Sequence, residues 1–388
     1  MHKNLPRTIY LVIVMLVSVC LTSFSWAPQA RTNTKLTRGA ASASALLARN
    51  AARIGGCTVF PANNIWNYDI SNLPVAANSA QYINSMGLSG QLRSYFGATD
   101  PGYAPQGMPY ATVPTTQPYV PLQFYYQSDP GPYPIPPHVP IEGGRNNYNS
   151  NNDRHVLVVD QGTCKLYEMW RAFPLANGGW YAGSGAVWDL ASNHLRPLNW
   201  TSADAAGLPI LPGLARYSED AAGVIAHALR VTTTSSQCTF LWPARHYAST
   251  NCDPNLPPMG LRLRLKASVD ISSFPPDIQV ILTALKHYGM FVADNGPRSW
   301  VLSGAPDPRW NNNDLALLGN ITGSDFEAVD ESALQLYPNS GAVNPAYLRA
   351  ASIQQGSGQQ SALPALFSRL ISPLSALDLW HRRLYRHG

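Results

Sequence analysis

The chain has 388 residues, of which 45% are hydrophobic, so it can bury the core of one large domain or two average ones and is not a disordered polymer. Only 13% of residues are charged, with five Lys and five Glu, whereas Pro 33 and Gly 29 are plentiful; this excludes a helical bundle and favours a loop-rich β protein. The net charge of +5 comes from the two ends, and residues 56–368 carry about −5, which argues against nucleic acid as a partner.

The first 25 residues have the pattern of an export signal. Lys3 and Arg7 precede an apolar run from Ile9 to Phe24, and small residues suited to a cleavage site follow. The run has sixteen residues, whereas a membrane span needs about 20. We therefore predict a signal peptide over 1–25, with an uncleaved membrane anchor as the alternative. Residues 26–55 are rich in Ala, Ser and Arg and are predicted to be a flexible linker.

Four cysteines follow the signal, and an even number in an exported chain indicates two disulfides. Cys238 and Cys252 bracket a short segment, so we pair them with each other and pair Cys57 with Cys164. The sequence contains no Cys-x-x-Cys, no zinc spacing and no nucleotide-binding motif, so we expect no cofactor and no bound metal. A calcium loop over 307–314 is a weaker alternative, because its spacing fits no standard motif.

The first half of the folded part is predicted to contain few regular elements. Prolines are dense from 57 to 144, where we expect a short helix near 80–86 and an edge strand over 119–126. Residues 155–160 and 165–170 then form a hairpin pattern, which strands at 179–182 and 186–190 continue as a meander.

The second half alternates helices and strands. A helix is predicted over 218–229, followed by a strand over 261–266. Its Arg262, Arg264 and Lys266 are predicted to form a solvated face, with a ridge that binds an anionic glycan as the alternative. The strongest helix pattern covers 276–288 and is followed by a hairpin of 290–293 with 300–303. We therefore predict a mainly β fold, β-sandwich or jelly-roll-like, with a few short helices and long Pro/Gly-rich loops. It forms a single β-rich domain over 56–345, and 346–388 is a low-complexity C-terminal tail.

Four longer strings carry a resemblance to known proteins. The segments 128–136 (SDPGPYPIP), 183–190 (GSGAVWDL), 201–209 (TSADAAGLP) and 288–296 (YGMFVADNG) resemble a family of uncharacterised secreted bacterial proteins. The resemblance covers most of 57–330. It implies an exported, environmental protein, and it implies neither an activity nor any catalytic residue.

Carboxylates are the first candidates for chemistry, since the chain has few charges. Paired acids can divide the acid and the base or nucleophile roles of glycoside hydrolysis. The candidate catalytic residues are Asp189, Asp204, Asp294, Asp325 and Glu327. Asp325 and Glu327 project from one face if their segment is a strand. The alternative is that these acids have only structural roles, in solvated loops or strand edges, in turns or as helix caps.

Aromatic and basic residues supply the candidate substrate-binding groups. Trp188 and Trp300 can stack on sugar rings beside an acid. Arg245, His246 and Tyr247 contain the groups that a polysaccharide lyase uses, although consecutive strand residues point to opposite faces. The alternative for this triplet is a buried histidine beside a cation–π pair. His155 and His227 lie in apolar segments and are predicted to be satisfied core residues.

The leading hypothesis is a secreted carbohydrate-active enzyme, a glycoside hydrolase that acts on an extracellular polysaccharide. One alternative is a non-catalytic module that binds glycan or cell wall, and a second is a polysaccharide lyase that uses Arg245, His246 and Tyr247. The expected partner is a polysaccharide or glycan. We expect no nucleic acid and no stable membrane span after removal of the signal.

The export pattern predicts the state of the mature protein. Export removes the first 25 to 30 residues, and the remaining four cysteines contain no free thiol. N-terminal sequencing and thiol titration without reductant measure both. An N-terminus at Met1 would favour the anchor instead, and two or more reactive thiols would contradict the oxidising compartment.

Overall fold

The computed structural model describes residues 52–99, 106–148 and 153–348. The predicted signal peptide, most of the linker and nearly all of the tail lie outside these residues. Within the segment predicted as linker, Arg53–Ile54 forms a strand that pairs with Cys57–Thr58. The folded part therefore begins before residue 56. Among the described residues, no helix combines the length and the apolar character that crossing a bilayer requires.

The described part is mainly β, as predicted, and its strands form sheets of two, four, six and three strands. The strands are β1 (Arg53–Ile54), β2 (Cys57–Thr58), β3 (Arg93–Tyr95), β4 (Tyr110–Val113), β5 (Leu122–Phe124), β6 (Val156–Asp160), β7 (Lys165–Trp170), β8 (Phe173–Pro174), β9 (Trp180–Ala182), β10 (Ser184–Asp189), β11 (Leu229–Thr233), β12 (Arg262–Leu265), β13 (Met290–Asn295), β14 (Val301–Ser303) and β15 (Phe326–Ala328).

The four-stranded sheet has the order β10-β7-β6-β4 and contains the predicted hairpin. Its centre is buried on both faces, since every residue of β6 is buried. Leu157 and Val159 belong to the large core that the sheet shares with the six-stranded sheet, whereas Val156 and Val158 belong to a smaller core on the other side. The smaller core includes residues of the three-stranded sheet, whose order is β5-β9-β8. The strand β5 is an edge strand, as predicted.

The six-stranded sheet has the order β15-β12-β13-β11-β14-β3 and mixes parallel with antiparallel pairs. The predicted hairpin of β13 with β14 is wrong, because β11 lies between them. It pairs in parallel with β13 and antiparallel with β14. The connection after β13 crosses the end of β11, where the Gly296 N–H donates to the Thr233 carbonyl and the Trp300 N–H donates to the Thr232 carbonyl.

The described helices are few and short. They are α1 (Ser79–Met86), α2 (Tyr217–Asp220), α3 (Pro276–His287) and α4 (Asn312–Ala316), with 3-10 turns at Ile65–Asn67, Leu211–Gly213, Leu317–Asn320, Gly323–Asp325 and Ser332–Leu334. The predictions of α1 and α3 are confirmed, and Gly289, with φ of 62°, follows the end of α3. The predicted helix over 218–229 is wrong, because α2 ends at Asp220 and Gly223 then adopts φ of 80°.

The basic face predicted over 261–266 is not solvated at Arg262 and Arg264, whereas Lys266 follows β12, is half-buried and donates to the Ser324 carbonyl at 2.7 Å. Arg262 is buried and donates to the Tyr288 carbonyl at 2.6 Å and to Glu331 Oε1 at 3.1 Å. Arg264 is also buried and donates to Glu327 Oε1 from Nε at 2.9 Å. The correction has a topological reason: β12 is flanked by β13 and β15, and both of its faces are covered.

Both predicted disulfides are present. Cys57 pairs with Cys164 across a sequence separation of 107 residues, and Cys238 pairs with Cys252 across 14 residues. The first joins β2 to the turn between β6 and β7, so it closes most of the N-terminal half of the fold. Two formed disulfides are compatible with an extracellular protein.

The two disulfides are expected to contribute unequally to stability. In the chain-entropy account, the double variant Cys57→Ser/Cys164→Ser loses about 4–5 kcal/mol of unfolding free energy, and Cys238→Ser/Cys252→Ser loses about 3 kcal/mol. Urea unfolding of the two variants and of wild type measures the difference. A larger loss from opening the short loop would contradict this ranking.

Candidate functional site

The described residues form a cavity of about 830 Å³, within the usual range of about 300–1,000 Å³ for ligand sites. Three acids, one histidine, three aromatic rings and several small or amide side chains line it, and no Lys or Arg does. The lining residues are Tyr125, Tyr126, Gln127, Asp153, Trp170, Ser184, Asn199, Thr201, Ser202, Ala203, Asp204, Ala205, His246, Ala248, Asp294 and Asn295.

Asp204 lies in a tight loop whose backbone fixes it. The Asp204 N–H donates to the Ser202 hydroxyl at 2.9 Å, and that hydroxyl donates to the Leu208 carbonyl at 2.6 Å. Gly207 closes the turn with φ of 68°, and a Cβ there would lie 2.6 Å from the Trp200 carbonyl oxygen. The loop therefore requires glycine at this position and holds Asp204 in one place.

A buried ion pair ties Asp204 to the six-stranded sheet. Arg230 of β11 donates from Nη2 to Asp204 Oδ1 at 2.6 Å, and the two side chains are 2% and 0% exposed. The other oxygen, Oδ2, has no hydrogen-bond partner among the described residues. Burial raises the pKa of Asp204 to about 6, although the Arg230 cation opposes this rise.

Asp294 reaches the same site through an irregularity in the sheet. The register of β11 and β13 shifts after Val231, so that Asp294 rather than Ala293 lies opposite Thr232 and shares a face with Arg230. The Ala206 N–H donates to the Ala293 carbonyl at 3.0 Å, which fastens the Asp204 loop beside Asp294. Burial and the neighbouring Asp204 charge raise the pKa of Asp294 to about 7.

A buried histidine supports the loop from behind. The Nδ1 atom of His155 lies 2.6 Å from Glu142 Oε2, and its Nε2 atom lies 3.0 Å from the Ala203 carbonyl oxygen. Both neighbours are acceptors, so a doubly protonated ring satisfies both. Burial opposes the charged ring, but the Glu142 carboxylate outweighs it and raises the pKa of His155 to about 9. His155 and His227 are thus buried, hydrogen-bonded groups, as predicted.

The third acid of the cavity, Asp153, was not among the sequence candidates. It is exposed and accepts a hydrogen bond from Trp170 Nε1 at 3.0 Å. Asp153 lines the same cavity as Asp294, and its charge makes a smaller contribution to the raised pKa of Asp294. The asparagine-rich sequence before Asp153 gives no local signal of a site. The only available clue is that the acid lies three residues before the start of the buried strand β6.

The structure brings two of the five predicted acids together and places the others elsewhere. Asp189 is exposed at the end of β10 and accepts the N–H of Ala191. Asp325 accepts the N–H of Thr322 in a helix cap, and Glu327 pairs with Arg264. Asp325 ends a 3-10 turn rather than lying in a strand, so the arrangement expected for Asp325 and Glu327 does not form.

Of the predicted substrate-binding residues, most lie outside the cavity as well. Trp188 and Trp300 are buried, and their indole N–H groups donate to Glu168 and to the carbonyls of Met86 and Gly87. Neither lines the cavity.

In the basic triplet, only His246 lines the cavity. Tyr247 is 40% exposed and stacks on the His246 ring with centroids 5.2 Å apart. Arg245 is buried, and its guanidinium donates to the carbonyls of Arg196 and Pro338 and to the Asn339 side chain. Its donors are therefore directed into the protein.

Comparisons with known proteins add no assignment: no family model, no curated protein and no solved structure matches the chain. Within 52–99, 106–148 and 153–348, no group of three or more His, Cys, Asp or Glu side chains could hold a metal ion. The chemistry of the site consists of two carboxyls with raised pKa, Asp204 and Asp294, the exposed acid Asp153, and aromatic walls.

The raised pKa of Asp294 predicts a pH-dependent effect on stability. The pKa is about 7 in the folded chain and about 3.9 when unfolded, so folding favours the protonated form and stability falls as pH rises from 4 through 7. Asp294→Asn cannot ionise and is expected to gain stability relative to wild type between pH 5 and pH 8.

Chemical unfolding at the two pH values measures this gain. Asp189→Asn, which changes an exposed acid outside the cavity, is the matched control. It is expected to keep the pH dependence of wild type and to gain no stability relative to it. Equal pH dependence of wild type and Asp294→Asn would mean that the carboxyl is ionised throughout.

Proposed function

We propose that the protein is a secreted glycoside hydrolase that cleaves an uncharged extracellular polysaccharide in the acidic cavity. One observation carries the proposal: Asp294, a carboxyl with a pKa raised to about 7, lines the same cavity as the exposed carboxylate Asp153 and three aromatic rings. Glycoside hydrolysis needs a protonated acid and a second carboxylate near the scissile bond.

Asp294 is the proposed general acid. Its Oδ1 accepts the Asn295 N–H at 2.7 Å, which leaves Oδ2 to carry the proton. Because the pKa of Asp294 lies near 7, the group holds its proton in mildly acidic or neutral surroundings. It donates this proton to the glycosidic oxygen as the bond to the anomeric carbon breaks.

Asp153 is the proposed second carboxylate. It acts either as the base that takes a proton from the water attacking the anomeric carbon, or as the nucleophile that bonds to this carbon and is then released by water. It is more accessible than Asp204, whose residue is 1% exposed. The Trp170 indole fixes one of its oxygens. Asp204 is a positioning residue, because its charge raises the pKa of Asp294 while Arg230 holds it in place.

The lining of the cavity supports an uncharged substrate. Tyr125, Tyr126 and Trp170 offer ring faces on which the apolar face of a sugar can pack, and amide and hydroxyl groups can bind sugar hydroxyls. A uronate needs a cation to neutralise it, and no Lys or Arg lines the cavity. The lyase alternative therefore has less support, since the donors of Arg245 are occupied.

Export is part of the proposal. The apolar N-terminal run supports a cleaved signal peptide, and the two disulfides support an oxidising compartment. A substrate outside the cell is also consistent with a chain that carries few charges and many aromatic residues.

The hydrolase proposal predicts which substitutions abolish activity. Purified protein is incubated with six neutral polysaccharides (cellulose, xylan, mannan, β-1,3-glucan, starch and chitin) and the released reducing ends are measured. Asp294→Asn and Asp153→Asn are expected to lower the rate by about 10²- to 10⁴-fold, the usual contribution of general acid or base catalysis. Asp189→Asn and Asp325→Asn, outside the cavity, retain wild-type rates.

The role of Asp204 has a separate readout. Asp204→Asn removes a negative charge beside Asp294, so the alkaline limb of the pH–rate profile is expected to move to lower pH. If the alkaline limb of the pH–rate profile does not move, Asp204 has only a structural role. Binding of a polysaccharide without release of reducing ends by wild type would favour the non-catalytic glycan-binding module.

A further inference from the structure

A second cleft of about 750 Å³ adjoins the acidic cavity. Its lining is apolar and aromatic, contains no charged side chain, and comes from one segment: Tyr119, Pro121, Leu122, Phe124, Tyr126, Ser128, Pro130, Gly131 and Pro132. Tyr126 lines both the cleft and the acidic cavity, so the two spaces share this residue.

The aromatic rings of the cleft are accessible yet held in place. Tyr119 and Tyr126 are 43% and 52% exposed. The Tyr119 hydroxyl lies 3.2 Å from the Tyr167 hydroxyl, and the two rings meet edge to face with centroids 6.2 Å apart. Tyr126 packs on Tyr125 at 4.7 Å and on Trp170 at 6.3 Å. A ring that is fixed before binding loses little entropy when a ligand packs on it.

The backbone around the cleft is tied as well. Val120 and Tyr133 exchange two backbone hydrogen bonds, at 2.9 and 3.1 Å, and so join the two sides of the segment that lines the cleft. Tyr133 is fully buried and donates to the Asp129 carbonyl at 2.8 Å. The cleft is therefore a built surface rather than a gap between loose loops.

We propose that this cleft binds further sugar units of the polysaccharide chain whose scissile bond lies in the acidic cavity. The inference rests on the proposed function and adds to it that the substrate is a chain of several sugar units, part of which binds beside the cavity. The shared Tyr126 supplies the continuity, and the absence of charged lining residues matches an uncharged polymer. Exposed tyrosine faces and proline rings suit the apolar faces of sugar units.

The test measures binding rather than turnover. Full-chain Asp294→Asn protein is titrated calorimetrically with disaccharides and hexasaccharides of cellulose, xylan, mannan, β-1,3-glucan, starch and chitin. At least one hexasaccharide is expected to bind more tightly than its disaccharide. Adding Tyr119→Ala is expected to weaken that hexasaccharide by about 3- to 10-fold, the scale of one aromatic contact, and to leave the disaccharide unchanged.

Two further variants make the test specific. Tyr119→Phe keeps the ring and is expected to retain the hexasaccharide affinity. Tyr337→Ala removes an equally exposed tyrosine, 60% exposed and outside both spaces, and is expected to have no effect.

Three outcomes separate the proposals. Unchanged hexasaccharide affinity in Tyr119→Ala, or no gain from disaccharide to hexasaccharide, overturns the cleft assignment while hydrolysis by wild type can still stand. Unchanged affinity with an altered sedimentation coefficient also overturns it and assigns the cleft to a second copy of the chain. Length-dependent binding through Tyr119 without hydrolysis by wild type supports the cleft and rejects the enzyme.

Discussion

The buried pair of Arg230 and Asp204 is the interaction on which the site depends. Removing either partner would leave an uncompensated charge inside the protein, at a cost of about 3–5 kcal/mol. The pair joins the central strand of the six-stranded sheet to the loop that lines the cavity. It also contributes to the raised pKa of Asp294: burial is the main cause of the rise, the neighbouring Asp204 charge adds to it, and the Arg230 cation opposes it.

Several of the few charged side chains of this protein are buried in its interior. Four arginines are among the largest fully buried side chains: Arg154, Arg216, Arg230 and Arg262. They bind carboxylates, backbone carbonyls or aromatic faces within the protein. A chain with few charges thus places several of them inside, where each must be paired. The cavity and the adjoining cleft have no basic lining residue, which is the property that the proposed uncharged substrate requires.

Local pattern predicted the elements whose stabilisation is local. The hairpin of β6 with β7, the helix α3 and both disulfides follow from periodicity, turn residues and cysteine spacing. The order of the strands could not be predicted from local pattern. The strand β11 pairs between β13 and β14, and these partners lie some 60 or more residues away in the sequence. The same limit applies to the site. Asp204 and Asp294 could be selected as acids in unusual surroundings, whereas only the tertiary structure shows that Asp153 lines the same cavity.

The pairing of β3 with β14 has a consequence for how the chain folds. These strands join residues 93–95 to residues 301–303, so the largest sheet contains a contact between distant parts of the sequence. Folds dominated by such contacts form slowly, because a long loop must close before the pairing stabilises it. During synthesis, β3 leaves the ribosome long before its partner exists. The strand order therefore delays completion of this sheet until residues 301–303 have been synthesised and can pair with residues 93–95.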